Sequence, residues 1–160
     1  MSKKLVLPKP ALYETEVIEY VEKCRIPNFR LVAMRDALPK RANVIESGIL
    51  NLDDSRGSGT HWCCWFKQDQ LRIYFDSYGL KPPQELINYL KTPVEIRKNL
   101  GVIRCSAIVV QRYNTYECGS LCLYVLYKLA VEGESFSRIL NTLSRRCNSK
   151  KKLEPLVLEI

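Results

Sequence analysis

The sequence predicts an α+β fold: a small mixed sheet with helices packed around it. Two stretches, Thr60 to Lys67 and Leu71 to Asp76, are aromatic and apolar and flank a short polar turn, so they read as paired strands. Before and after them, apolar residues recur at helical spacing. No internal repeat is present, which excludes solenoids and propellers. The 160 residues suit one compact domain, 1–160. With 46% apolar residues, a core can form without disulfide staples.

Taken in order, residues 1–10 carry basic residues and two prolines and predict a flexible N-terminal arm. Tyr13, Val17, Tyr20, Val21 and Cys24 predict a helix from Leu12 to Cys24, stopped by Pro27. Asn28 to Val32 reads as a short extended piece, and Arg35 to Ser47 as a loop containing Pro39. Gly48 to Leu52 predicts a short strand. The Asp-, Ser- and Gly-rich run from Asp53 to Thr60 predicts a loop. After the strand pair, Ser77 to Lys81 forms a turn and Pro82 opens a helix to Lys91. Val102 to Gln111 predicts a strongly apolar third strand. A polar connection, Arg112 to Glu117, leads into a buried helix from Cys118 to Val131. Gly133 ends it, and Ser135 to Leu143 gives a last amphipathic helix. Residues 145–160 predict a basic C-terminal tail with an apolar end.

The chain carries 25 Lys and Arg against 17 Asp and Glu, a net +8 that favours polyanionic partners such as nucleic acid, or else keeps a surface solvated. Seven cysteines and no signal-type apolar segment predict reduced thiols in a cytosolic or nuclear setting. The longest apolar stretch, Leu121 to Val131, is interrupted by Lys128 and too short to span a bilayer.

His61 is the sole histidine, which makes it the one imidazole available as a general base. It follows a Gly-Ser-Gly loop and opens a strand. If the strands pair across Gln68 to Gln70, Thr60 and His61 lie opposite Phe75 and Asp76. An acid there can fix the imidazole tautomer; alternatively Asp76 caps the turn that follows. Cys118 stands where a polar loop meets an apolar helix, and a thiol at a helix N-terminus favours the thiolate. Cys122 and Cys64 sit inside apolar elements and suit a structural role. Gly119 allows close backbone approach to a substrate. Gln111 ends the third strand, seven residues before Cys118, and its amide can fold back to stabilise an oxyanion. Nucleophile, base, orienter and donor form the set that thiol acyl transfer needs. A metal-binding module using His61, Cys63, Cys64, Cys118 and Cys122 is disfavoured, because adjacent strand residues point to opposite faces.

The segments Gly-Ser-Gly-Thr-His61-Trp62, Tyr-Phe-Asp76-Ser-Tyr-Gly79 and Gln111 with Glu117-Cys118-Gly119 resemble the adenain group. That group comprises the adenovirus endopeptidase and Polinton/Maverick-type viral proteases, within the ubiquitin-like-protein protease clan. Ile26 to Arg30, Met34 to Pro39 and Glu46 to Asp54 resemble the Polinton-type enzymes too, so the likeness covers residues 12–143. The resemblance implies His61 as base, Cys118 as nucleophile, Asp76 in the third place and Gln111 as oxyanion donor. It implies Trp62 as the wall of a narrow cleft, and cleavage after glycine in Gly-Gly or Gly-x sites. It further implies polypeptide substrates such as capsid precursors, a monomeric enzyme, no metal and no cofactor for chemistry. The setting it implies is the host nucleus or cytoplasm and the virion. The family's accessory features are activation by DNA and by a peptide that bonds to a cysteine; Cys105 is the nearest candidate for that cysteine here, a reduced core cysteine being the alternative reading. Removal of ubiquitin or SUMO by the same chemistry is the alternative.

Overall fold

The computed structural model describes residues 2–57 and 59–160. Met1 and Ser58, the latter within the loop expected over 53–60, lie outside the described residues. In chain order the elements are β1 (Lys4–Val6), α1 (Glu14–Cys24), β2 (Phe29–Met34), β3 (Ile45–Asn51), β4 (Trp62–Gln68), β5 (Leu71–Phe75), α2 (Gln84–Leu90), α3 (Pro93–Arg97), β6 (Arg104–Cys105), α4 (Cys118–Ala130), α5 (Phe136–Asn148) and β7 (Val157–Glu159).

A five-stranded sheet runs β2-β3-β4-β5-β6, with its outer pairs parallel and its two inner pairs antiparallel. The sheet is mixed, as the α+β expectation required. Its central strand β4 is apolar from Trp62 to Phe66 because both faces are covered there. Trp62 and Cys64 point to the face carrying α1, α4 and α5. Cys63 and Trp65 point to the face covered by α2. α4 is the hub of the first face, and Leu121, Cys122, Leu123, Val125 and Leu126 are all fully buried. A helix apolar all round belongs inside a core.

The second face is organised by a buried carboxylate. Glu46 accepts from the indole N–H of Trp65 (2.8 Å), the Tyr89 hydroxyl (2.6 Å), Arg30 (3.1 Å) and the Asn43 backbone N–H (2.6 Å). A side chain at Gly48 would overlap the Trp65 ring, so glycine is required where the indole crosses β3. This ordered cluster lies partly in the stretch expected as a loop over residues 35–47, because β3 starts at Ile45 rather than Gly48.

Three further expectations are corrected. The apolar run Val102 to Gln111 yields only the two-residue strand β6. Ala107 takes a positive φ of 53°, and the chain curls around the turn after β5, where Val110 N–H bonds the Ser77 carbonyl. Val102, Ile108 and Val109 are exposed, and Val110 alone of the run's valines and isoleucines is fully buried. The arm expected over residues 1–10 is, from Ser2 on, not free: β1 pairs antiparallel with β7, and Leu7 is buried. The tail is likewise tied down. α5 continues past Leu143 to Asn148, taking in Arg145 and Arg146, and Leu156 and Leu158 are buried. Apolar residues among the charges decide both ends, since their burial outweighs the mobility that charge favours.

Candidate active site

His61 immediately precedes β4. Its carbonyl accepts from Leu52 N–H (2.9 Å), and the neighbouring Thr60 N–H is held by the Asn51 side chain (3.0 Å). The end of β3 therefore fixes the backbone that carries the imidazole. The β4–β5 register pairs Gln68 with Leu71 and Cys64 with Phe75. The hairpin loop is two residues long rather than three, so His61 does not lie opposite Asp76, as the sequence suggested. Its ring instead stacks on Tyr78, with centroids 5.3 Å apart and planes 29° from parallel.

Asp76, just beyond β5, reaches His61 diagonally. Its Oδ1 accepts from His61 Nε2 at 3.2 Å and from Tyr78 N–H at 2.8 Å. The carboxylate is fully buried. One oxygen of Asp76 thus both holds the His61 ring nitrogen and caps the turn that follows β5. With Nε2 committed to Asp76, Nδ1 is the nitrogen left for a thiol. Ser106 secures the strand end, exchanging hydrogen bonds with the Asp76 backbone (3.1 and 2.9 Å).

Cys118 is the first residue of α4. Burial opposes its ionisation, yet hydrogen bonding to His61 and to the Trp62 backbone lowers its pKa below the ordinary thiol value. Burial likewise opposes charge on His61. The Asp76 and Cys118 partners prevail and raise the imidazole from 6.5 to about 9. One contribution is common to both shifts: an imidazolium and a thiolate stabilise each other, with Asp76 the larger partner of His61 and the Trp62 and Gly119 backbone further partners of Cys118. Cys63 and Cys122 go the other way: complete burial pushes both thiols well up, which keeps them neutral and inert.

Gln111 is buried but lines the same cleft as Cys118. The Ser77 hydroxyl donates to its Oε1 (2.6 Å), while its Nε2 donates to the Thr115 carbonyl (2.9 Å). Ser77 thereby fixes which way the amide faces, and one Nε2 hydrogen stays available for an oxyanion. The cleft has a volume of about 600 Å³; His61, Trp62, Tyr78, Gln111, Tyr116 and Cys118 contribute to its walls.

Trp62 lines this cleft, and its indole N–H donates to the Leu12 carbonyl (2.9 Å). Gly119 faces inward instead. A Cβ there would stand 3.2 Å from Leu12 Cδ1 and from Trp62 Cδ1, so the close approach that glycine permits is theirs rather than a substrate's. Cys105 lies on the edge strand β6, half-buried, with its thiol toward the Ile103 carbonyl (3.6 Å) and apart from the cleft lining. Among the described residues, no three His, Cys, Asp or Glu side chains converge as a metal-holding group. Among them, too, no helix is long and apolar enough to cross a membrane.

Sequence reasoning missed Asn51, Ser77, Tyr78 and Ser106. Their signal was faint, because small polar residues and a tyrosine beside turns occur throughout soluble proteins.

No protein-family model matches the chain, nor does any curated protein. Solved structures do. The chain is similar to the ASFV pS273R protease, with a TM-score of 0.58 at 15% identity, over 86% of this chain and 66% of that one. It therefore spans just under two thirds of that protein's length. The SUMO protease Ulp1 also aligns, at a TM-score of 0.45 and 14% identity, over 86% of this chain and 75% of that one. The chain thus has the mixed α+β fold on which the ASFV protease is built.

Proposed function

We propose that the chain is a cysteine endopeptidase of the adenain type, cleaving after glycine in Gly-Gly or Gly-x sites and maturing virion structural proteins such as capsid precursors. The observation that carries the reading is the shared cleft: His61, bound by Asp76 through Nε2, lines it together with Cys118 and the fixed Gln111 amide. The Cys118 thiolate adds to the scissile carbonyl. Gln111 Nε2–H and the Cys118 backbone N–H receive the oxyanion. His61 gives its proton to the leaving amine as the C–N bond breaks. Water, deprotonated by His61, then hydrolyses the thioester and releases the thiol. Glycine selectivity is supported by Trp62 in the cleft wall, since an indole there leaves little room for a Cβ.

The accessory features belong to the same proposal. The net charge of +8 supports stimulation by DNA. Cys105, half-buried on an edge strand, is the thiol offered to an activating peptide. The enzyme acts as a monomer in the host nucleus or cytoplasm and in the virion.

A fluorogenic peptide ending in Leu-x-Gly-Gly tests the reading. Wild type cleaves it, and Cys118→Ala or His61→Ala loses activity by more than roughly 10³-fold. Cleavage surviving in Cys118→Ala would sink the mechanism. Labelling of Cys118 by ubiquitin- or SUMO-based probes would move the substrate from capsid precursor to protein modifier.

A further inference from the structure

Residues 112–117 join the oxyanion donor to the nucleophile, yet they have no regular structure and little core. Tyr113 and Tyr116 within them are largely exposed. Both ends of the connection are nevertheless held, and by the same partner. Glu117 immediately precedes Cys118 and is buried. Its carboxylate makes no cap on α4; it binds Arg146 of α5 through two hydrogen bonds of 2.8 and 3.1 Å. The Arg146 Nε donates to the Glu154 carbonyl (2.9 Å), so each of the three guanidinium nitrogens is engaged.

Arg112 immediately follows Gln111. Its Nε donates to the Cys147 carbonyl (3.0 Å), and its Nη2 to the carbonyls of Ser149 (2.7 Å) and Lys151 (3.1 Å). The last carbonyls of a helix lack intrahelical partners and carry the negative end of its dipole, so a guanidinium is well placed there.

We propose that the C-terminal turn of α5 is a positioning device for the reaction: by gripping Arg112 and Glu117, it sets the distance between the Gln111 amide and the Cys118 thiol. Arg146 has a second effect. A buried carboxylate one residue from the nucleophile would oppose the thiolate, and the ion pair cancels that charge. Arg146, Glu117 and Arg112 are positioning residues, since none of them lines the cleft.

The inference rests on the cysteine-peptidase reading, and the test separates the two. Arg146→Ala and Glu117→Asp are compared with wild type for kcat and KM on the Gly-Gly peptide. The pH profile of Cys118 alkylation by iodoacetamide is followed by mass spectrometry of the Cys118 peptide. Active-site titration counts the folded enzyme. In both variants kcat per folded site should fall roughly 10- to 100-fold with KM nearly unchanged, because the reacting groups are misplaced rather than removed. The alkylation profile should move to higher pH in Arg146→Ala, where Glu117 is left unpaired, and stay in place in Glu117→Asp, which keeps the charge but shortens the reach. A wild-type kcat per folded site in both variants would overturn the proposal, leaving these residues with stability alone. Should Arg146→Ala fail to fold, Glu117→Asp and Arg112→Lys decide by the same measurement. If wild type alkylates at Cys118 but cleaves no peptide, the peptidase reading fails. The profile in Arg146→Ala then decides alone, an unshifted one overturning the proposal.

Discussion

The two halves of the candidate site are built in different ways. His61 and Asp76 flank a hairpin whose backbone ladder fixes them, with Leu52 N–H and Asn51 anchoring the histidine end. Gln111 and Cys118 are joined by a connection with no ladder, and side chains hold it: Ser77 on Gln111, Arg112 on α5, and Arg146 on Glu117. A ladder spreads its constraint over many modest hydrogen bonds. A buried ion pair concentrates it in one, where removing a partner strands a charge. The base half should therefore tolerate single changes outside its functional atoms, and the nucleophile half should not.

The largest change expected within this comparison comes from breaking the base half at its functional atom. Asp76→Asn should lower kcat by roughly 10³- to 10⁴-fold, as expected when a triad carboxylate can no longer fix the tautomer. It should also alter the pH profile. In wild type, activity should fall in acid as the thiolate gains a proton, and fall again above pH about 9 as His61 loses the proton it must deliver. Without Asp76 the raised imidazole pKa drops, and the alkaline limb should move to lower pH. An unmoved limb would show that Asp76 does not govern the base.

Next in size is the donor. Gln111→Ala should cost roughly 10²- to 10³-fold in kcat with KM little changed. The conservative Gln111→Glu should not rescue it, since a carboxylate repels an oxyanion. Equal activity of Gln111→Ala and wild type would remove this residue from the oxyanion site.

The smallest effect on chemistry is expected on the far face of the sheet. Glu46→Ala strands the Trp65 indole N–H, the Tyr89 hydroxyl and Arg30, and should cost roughly 3–5 kcal/mol of stability. The kcat of the folded enzyme should stay at the wild-type value. A denaturant titration and a titrated kcat measure the two separately. A large fall in kcat per folded site would show that the α2 face is coupled to the cleft.

What the sequence determined by itself was local. Apolar spacing placed α1, α4 and α5. The aromatic runs placed β4 and β5, and the helix start after a polar loop marked Cys118 among seven cysteines. These signals survive because each depends on a few neighbouring residues. Tertiary structure decided the rest. The β4–β5 register put Tyr78, rather than Asp76, against the face of His61. Burial of Leu7 tied down an N-terminal arm read as flexible, and burial of Leu156 and Leu158 packed the apolar end of the basic tail. Curvature around Ser77 dissolved most of the third strand into a loop that holds Gln111. The Glu117–Arg146 ion pair, spanning 29 positions, and Arg112 hydrogen bonds to carbonyls 34 to 39 positions away fixed the loop before the nucleophile. Such pairs leave no periodicity, because a long-range partner is chosen by the folded shape and not by spacing along the chain.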